Sequence, residues 1–227
     1  MSYTKRTANS GFFIIRLRYM TIQWYGQACF KLSGHVEDVT LVIDPFDPSL
    51  GWKLPKFQAD IVAISTDTPE HNYLEAVKIV DPRNPFVLEG RGEYEVKGVF
   101  IYGVGVEKTT VYSFSFDELY VLHCGSLNRL LTEKEIDQIG KVDILLLPVG
   151  GGSGMSPRTA VEFIGQIEPR IVIPMCHKVP GLKSDFLPVE QFLKEYGIKD
   201  TERVDKFKIS KKELPAEETQ IILLNPM

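Results

Sequence analysis

An apolar stretch, Ile61-Val62-Ala63-Ile64, runs into a polar loop, Ser65-Thr66-Asp67-Thr68-Pro69-Glu70-His71-Asn72. Glu70 and His71 set a carboxylate beside an imidazole, the residue types that move protons or hold a metal. Farther along, Ser126 follows His123, Cys124 and Gly125, so a hydroxyl, an imidazole and a thiol stand close together. A serine becomes a nucleophile when a base lies within hydrogen-bond reach and an acid orients that base. Sequence does not show such a base, and no G-x-S-x-G elbow surrounds Ser126. On sequence grounds Ser126 is therefore not assigned as a nucleophile, and no catalytic residue is assigned. His123 and Cys124 are expected to pack at the end of a strand. Asp44, which ends the apolar run Leu41-Val42-Ile43, is expected to hydrogen-bond loop amides near the site.

A second segment with chemical potential is Gly150-Gly151-Gly152-Ser153-Gly154, between an apolar strand and a helix that should begin near Ser156-Pro157. Exposed amides at a helix N-terminus attract anions. The Gly-Lys-Ser/Thr ending of a phosphate-binding loop is missing, as is a G-x-G-x-x-G fingerprint. Two readings stay open, a flexible turn and the floor of an anion or small-molecule pocket. Lys208, Lys211 and Lys212 flank Ile209 and read as a solvated edge strand, since edge lysines discourage edge-to-edge pairing.

These groups must be held by a sizeable scaffold. The chain has 227 residues, 44% hydrophobic and 25% charged, enough for one domain with a substantial core. A net charge of −4 argues against a protein that tracks phosphate backbones, which normally carries a basic excess. Three widely spaced cysteines, Cys29, Cys124 and Cys176, do not make a secreted disulfide framework and read as reduced thiols in a cytoplasmic protein. Phe12-Phe13-Ile14-Ile15 is too short for a secretory or membrane segment. Residues 1–19 read as an N-terminal extension, from an upstream start codon or docking as an extra strand, and residues 20–227 as the domain.

Alternating apolar residues place strands at 22–25, 29–32, 39–45 and 61–64. Pro69 should open a helix through Val80, because proline is tolerated in a first helical turn. Strands follow at 85–88, 92–97, 99–106, 110–116 and 119–124. Thr132-Glu133-Lys134-Glu135 has the form of a capping box and opens a helix to Ile139. Strands at 143–149 and 170–175 alternate with helices at 157–167 and 189–196, and two final strands are expected at 207–210 and 219–224. Hairpins early and β/α units late make a layered α/β plan.

The order of these signals resembles the metallo-β-lactamase superfamily, in particular its small UPF0173-like metal-dependent hydrolases. The marks are Trp24-Tyr25-Gly26-Gln27-Ala28-Cys29-Phe30, Leu41-Val42-Ile43-Asp44-Pro45, the loop at 65–72 and His123-Cys124-Gly125-Ser126. Leu147-Pro148-Val149-Gly150-Gly151, Met155-Ser156-Pro157 and Val172-Ile173-Pro174-Met175-Cys176-His177 continue the series. The resemblance implies a four-layer αββα sandwich with metals held by loops at one edge of two facing sheets.

Carried over by position, the resemblance puts Thr66, Thr68 and Gly152 where the first metal has histidines, and Ser126 where an aspartate bridges the two metals. The second metal's positions fall on Glu70, His71 and Cys176, with His177 one residue beyond. The favoured expectation is a non-hydrolytic binding, scaffold or subunit protein with no metal. The alternative is a hydrolase with one Zn2+ on Glu70, His71 and Cys176. In the metal-free case Glu70 should take His71 or His177 as its partner. No partner molecule is legible; a membrane is not expected, nucleic acid is disfavoured, and homo-oligomers are left open.

Overall fold

The structure, a computed structural model, describes residues 18–34, 38–78, 84–199 and 201–227. Most of the 1–19 extension thus lies outside the described residues. Among the described residues the first strands are β1 (Met20–Trp24), β2 (Phe30–Ser33), β3 (Thr40–Ile43) and β4 (Ile61–Ile64). Then come β5 (Phe86–Glu89), β6 (Gly92–Val96), β7 (Val99–Val106), β8 (Thr109–Phe116) and β9 (Leu119–His123). The second half holds α1 (Glu133–Ile139), β10 (Ile144–Pro148), α2 (Pro157–Ile167), β11 (Ile171–Met175) and α3 (Val189–Tyr196). It closes with β12 (Arg203–Val204), β13 (Phe207–Ile209), β14 (Gln220–Ile221) and β15 (Leu223–Leu224).

Two large sheets result, ordered β13-β1-β2-β3-β4-β5 and β14-β11-β10-β9-β8-β7-β6, with β12 and β15 paired apart. Strict alternation in β1 buries Met20, Ile22 and Trp24, and β2 adds Phe30 and Leu32. These join one core with Val104, Phe114, Leu122 and Leu146 of the other sheet, so the sheets pack through their apolar faces. In β3 and β4 every core-side residue alternates with another apolar one. Val42 turns to a satellite cluster with Tyr25, Phe46 and Phe57, while Val62 and Ile64 turn to Val77. Both faces of these strands are covered, which is why they read as continuous apolar runs.

The helix expected from Pro69 is not there among the described residues, and Val80 itself lies outside them. A turn at 66–71 leads to a single 3₁₀ turn, Leu74–Ala76. The backbone donors go elsewhere: Tyr73 N–H donates to Pro45 O at 2.7 Å and Lys78 N–H to Phe57 O at 2.7 Å. Tertiary ties to the loop after β3 outweigh a weak helical pattern. By contrast the capping box of α1 forms as expected. Thr132 Oγ1 accepts from Glu135 N–H at 3.3 Å, and Glu135 Oε2 accepts from Thr132 N–H at 2.8 Å. No helix among the described residues is long and apolar enough to cross a membrane.

One edge of the sandwich is fastened across the two sheets. The turn after β1 offers Gln27 O to Trp24 Nε1–H at 3.0 Å and to Cys176 N–H at 3.1 Å. The next carbonyl, Ala28 O, accepts from His123 Nε2–H at 2.9 Å. The ends of β9 and β11 are thereby fixed against the end of β1, and the loops after β3, β4 and β9 meet there.

Candidate active site

Parallel pairing of β3 with β4 sets their C-terminal ends side by side, Ile43 opposite Ala63. Asp44 follows with φ 47°, a left-handed conformation that aspartate tolerates better than most residues. Its own N–H donates to Ala63 O, and its carboxylate, fully buried, turns toward the loop. Oδ1 accepts from Ser65 N–H at 2.7 Å, and Oδ2 accepts from Ser65 Oγ–H at 2.5 Å. This is the expected loop-amide role.

The carboxylate also does something the sequence did not disclose. His71 N–H donates to Thr68 O at 2.9 Å, closing a turn that folds the imidazole back over β3. His71 Nδ1 lies 2.9 Å from Asp44 Oδ2, and His71 Nε2 lies 2.7 Å from Ser126 Oγ. Burial by itself would push the Asp44 carboxyl up; the His71 contact and the Ser65 hydroxyl outweigh it and hold the group below the ordinary carboxylate range. An ionised carboxylate only accepts, so His71 donates Nδ1–H to Asp44 Oδ2, and in the neutral ring Nε2 is the acceptor that faces the Ser126 hydroxyl.

Ser126 reaches this position through a tight turn at the end of β9. Gly125 has φ +54°, and a Cβ there would sit 2.6 Å from Thr109 Oγ1 and 2.7 Å from Ser65. Thr109 Oγ1 accepts from Thr66 Oγ1–H at 3.0 Å and from Ser126 N–H at 3.3 Å, tying the loop after β4 to the turn after β9. Above the serine opens a cleft of about 390 Å³. Thr66, Thr68 and Glu70 form one wall, Val106 and Leu127 supply apolar surface, and Lys108 and Asn128 supply N–H donors.

His123 stands on the buried side of Asp44, its Nδ1 3.9 Å from Oδ2. It is a neutral neighbour and not an ion partner. Nε2–H donates to Ala28 O, so Nδ1 is the acceptor of the Gly125 N–H at 3.1 Å, and complete burial holds its pKa down. The expected packing role of His123 and Cys124 matches this placement.

The residues named from the sequence separate in space. Glu70 borders the cleft, but the carboxylate that His71 takes is Asp44, which corrects the expected Glu70–histidine pair. The physical reason is that Asp44 is buried and preorganised by Ser65, whereas Glu70 is exposed, where a pairing gains little. His177 is elsewhere: its ring lies 4.7 Å from that of Trp24, and it borders a different cleft with Glu190 and Arg203. Cys176 is buried, with its thiol pushed up by burial and, secondarily, by the Asp44 charge. Among the described residues, no three His, Cys, Asp or Glu side chains group so as to hold a metal ion.

Gly152 has φ +63°, and a Cβ there would meet the Phe186 ring at 3.2 Å, so an aromatic side chain fills the space a longer residue at 152 would enter. Of the glycine-rich turn, Ser153 lines the cleft. Gly151 N–H donates to Met155 O and Gly154 N–H to Gly151 O, and Ser156 caps α2 by accepting from Thr159 N–H at 3.1 Å. The turn spends these donors on itself.

Burial without a strong acceptor lowers the His177 pKa to about 4, desolvation being the main cause. The unfolded value is about 6.5, so the unfolded chain binds the extra proton and stability falls as pH drops from about 6.5 toward 4. The window is worth about 3 kcal/mol. We expect His177→Phe to flatten the loss of melting temperature between pH 7 and pH 4.5. An unchanged slope would locate the acid sensitivity in other groups.

Comparison with known proteins bears on the fold. A model of the β-lactamase superfamily domain matches residues 21–176. A crystal structure from Thermotoga maritima, assigned to the Zn-dependent hydrolases of the metallo-β-lactamase superfamily, superposes with a TM-score of 0.75 at 35% identity, covering 91% of this chain and all of that one. A UPF0173 protein of Pyrococcus abyssi is 27% identical over 185 residues, 71% of this chain and 85% of its own length. A UPF0173 metal-dependent hydrolase of Methanopyrus kandleri is 25% identical over 215 residues, 78% and 90% of the two chains. The chain belongs to the metallo-β-lactamase superfamily, and its two facing sheets are that family's sandwich.

Proposed function

We propose that this chain uses the metallo-β-lactamase scaffold as a metal-free cleft for a small organic ligand, and does not run the hydroxide chemistry implied by the name of its metal-dependent relatives. A catalytic zinc needs about three His, Cys, Asp or Glu ligands and lowers the pKa of its bound water to about 7. The residues present do not fit such a centre. Thr66, Thr68, Ser126 and Gly152 are weak donors or none, and the Phe186 ring lies against the last position. The observation that carries the reading is His71: Asp44 and Ser126 take both ring nitrogens. In addition, no buried side-chain nitrogen or oxygen among the described residues lacks a hydrogen-bond partner. We place the protein in the cytoplasm on its three buried, unpaired thiols.

The test is elemental analysis of protein purified without chelator, together with melting in added zinc. A zinc ion at a hundred times its Kd would stabilise the fold by about 2.7 kcal/mol. That would raise the melting temperature by roughly 5–10 °C in a domain of this size. We expect no bound metal and no such rise. Two metal ions per chain would overturn the proposal, and one ion lost on His71→Ala or Cys176→Ser would establish the single-zinc alternative instead.

A further inference from the structure

We propose that Ser126, His71 and Asp44 form a nucleophile, a general base and a positioning acid that transfer acyl groups without a metal. The inference rests on the metal-free reading above and adds the chemistry of the cleft.

The geometry supplies a nucleophile, a base within reach and an acid that orients the base. Ser126 Oγ is 2.7 Å from His71 Nε2, inside the 2.6–3.2 Å reach of a working base. Asp44 Oδ2 is 2.9 Å from His71 Nδ1 and fixes the tautomer that leaves Nε2 free to accept. The acid is itself locked, by the Ser65 amide on one oxygen and the Ser65 hydroxyl on the other. Burial grades along the line: Asp44 is 0% exposed and His71 5%, while Ser126 opens onto the cleft. A relay needs this order, with the orienting charge dry and the nucleophile accessible. Three separate elements, the ends of β3, β4 and β9, converge to build it. The tight turn at Gly125 presents the serine.

A plausible structural role does not account for the arrangement as well. A serine placed only to satisfy His71 Nε2 would not need to face a cleft. Nor would it need to share that cleft with the apolar Val106 and Leu127 and with Lys108 and Asn128, whose side chains carry N–H donors. Apolar walls fit a small uncharged acyl group, and the donors suit the negative charge that builds on a carbonyl oxygen. The substrate class is therefore an activated carboxylic ester with a short neutral acyl chain.

The step balances with water as the one further reactant. Ser126 Oγ bonds to the carbonyl carbon as its proton passes to His71 Nε2. The carbon–oxygen bond to the alcohol then breaks, and the departing alkoxide takes that proton. Water attacks the acyl-serine, giving its proton to Nε2, and Ser126 Oγ leaves with it. The products are one acid and one alcohol, with the enzyme restored.

The experiment is active-site labelling with a fluorophosphonate, in which Ser126 Oγ bonds to phosphorus, fluoride leaves and the serine proton passes to His71. We expect one adduct per native chain, mapped by peptide mass spectrometry to Ser126, unaffected by chelator and absent after denaturation. Ser126→Ala should abolish it with the melting temperature nearly unchanged. His71→Gln should slow it by about 10²–10⁴-fold, the usual worth of a general base. If His71→Gln does not fold, Ser126→Cys provides the second arm, with iodoacetamide alkylating position 126 faster than the three buried thiols. Folded, metal-free protein that takes no label at Ser126, or labels there as fast without His71, would overturn the triad and leave the metal-free cleft standing. Bound metal with chelator-sensitive hydrolysis would overturn both.

Discussion

Replacing Asp44 with alanine should lower the unfolding free energy by about 3–5 kcal/mol, because it strands several buried donors at once. The carboxylate accepts from the Ser65 amide, the Ser65 hydroxyl and the His71 imidazole, and it is fully buried. Each donor left without a partner costs about 1–3 kcal/mol. Asp44 also holds φ 47°, where alanine adds strain of about 1 kcal/mol. In a domain this size the sum appears as a drop of roughly 10 °C in melting temperature. Asp44→Asn separates stability from orientation. It keeps an acceptor for the Ser65 amide and tolerates the left-handed backbone, so the fold should survive better. Its amide, however, can donate to His71 Nδ1, which moves the ring proton to Nε2 and points it at Ser126. We expect Asp44→Asn to melt closer to wild type than Asp44→Ala while fluorophosphonate labelling falls by orders of magnitude. Equal melting temperatures for the two variants would show that the carboxylate's hydrogen bonds are not what it contributes.

Gly150→Ala should be the second costly change, at about 3 kcal/mol, the upper end of overpacking. A Cβ there would sit 2.2 Å from Cys176 O and 2.9 Å from His177 Cα, both backbone atoms with no rotamer to yield. The surroundings are pinned as well. Gly150 O accepts from Leu187 N–H at 2.8 Å, and Val149 N–H donates to Met175 O at 3.1 Å. Gly151→Ala is the comparison. It has φ +71° but meets only Leu187 Cδ1, at 3.7 Å, so it should cost about 1–2 kcal/mol from backbone strain alone. Denaturant midpoints at constant m-value resolve the two. Equal costs would mean that close approach of β10 and β11 is not the reason for glycine at 150. Within the glycine-rich turn, the lack of a side chain at Gly150 is what lets the ends of β10 and β11 come this close.

Much of the fold was legible because its signals are local. Alternation in Met20–Trp24 and the unbroken apolar runs of β3, β4, β10 and β11 record which faces are covered, and each strand encodes its own burial. The Thr132–Glu135 capping box depends on residues three apart, so it formed as read. The helix expected after Pro69 failed because Tyr73 and Lys78 donate to Pro45 and Phe57, partners no local window contains. The site divides in the same way. The loop at 65–72 and Asp44 at its strand end are properties of the chain itself. The partner of His71 is not. Asp44 lies 27 residues before it and Ser126 55 residues after it. Glu70, the carboxylate beside it in sequence, is passed over. A hydrogen bond is decided within about 3 Å, and only the pairing of β3 with β4 and the packing of the two sheets bring those three side chains to one edge.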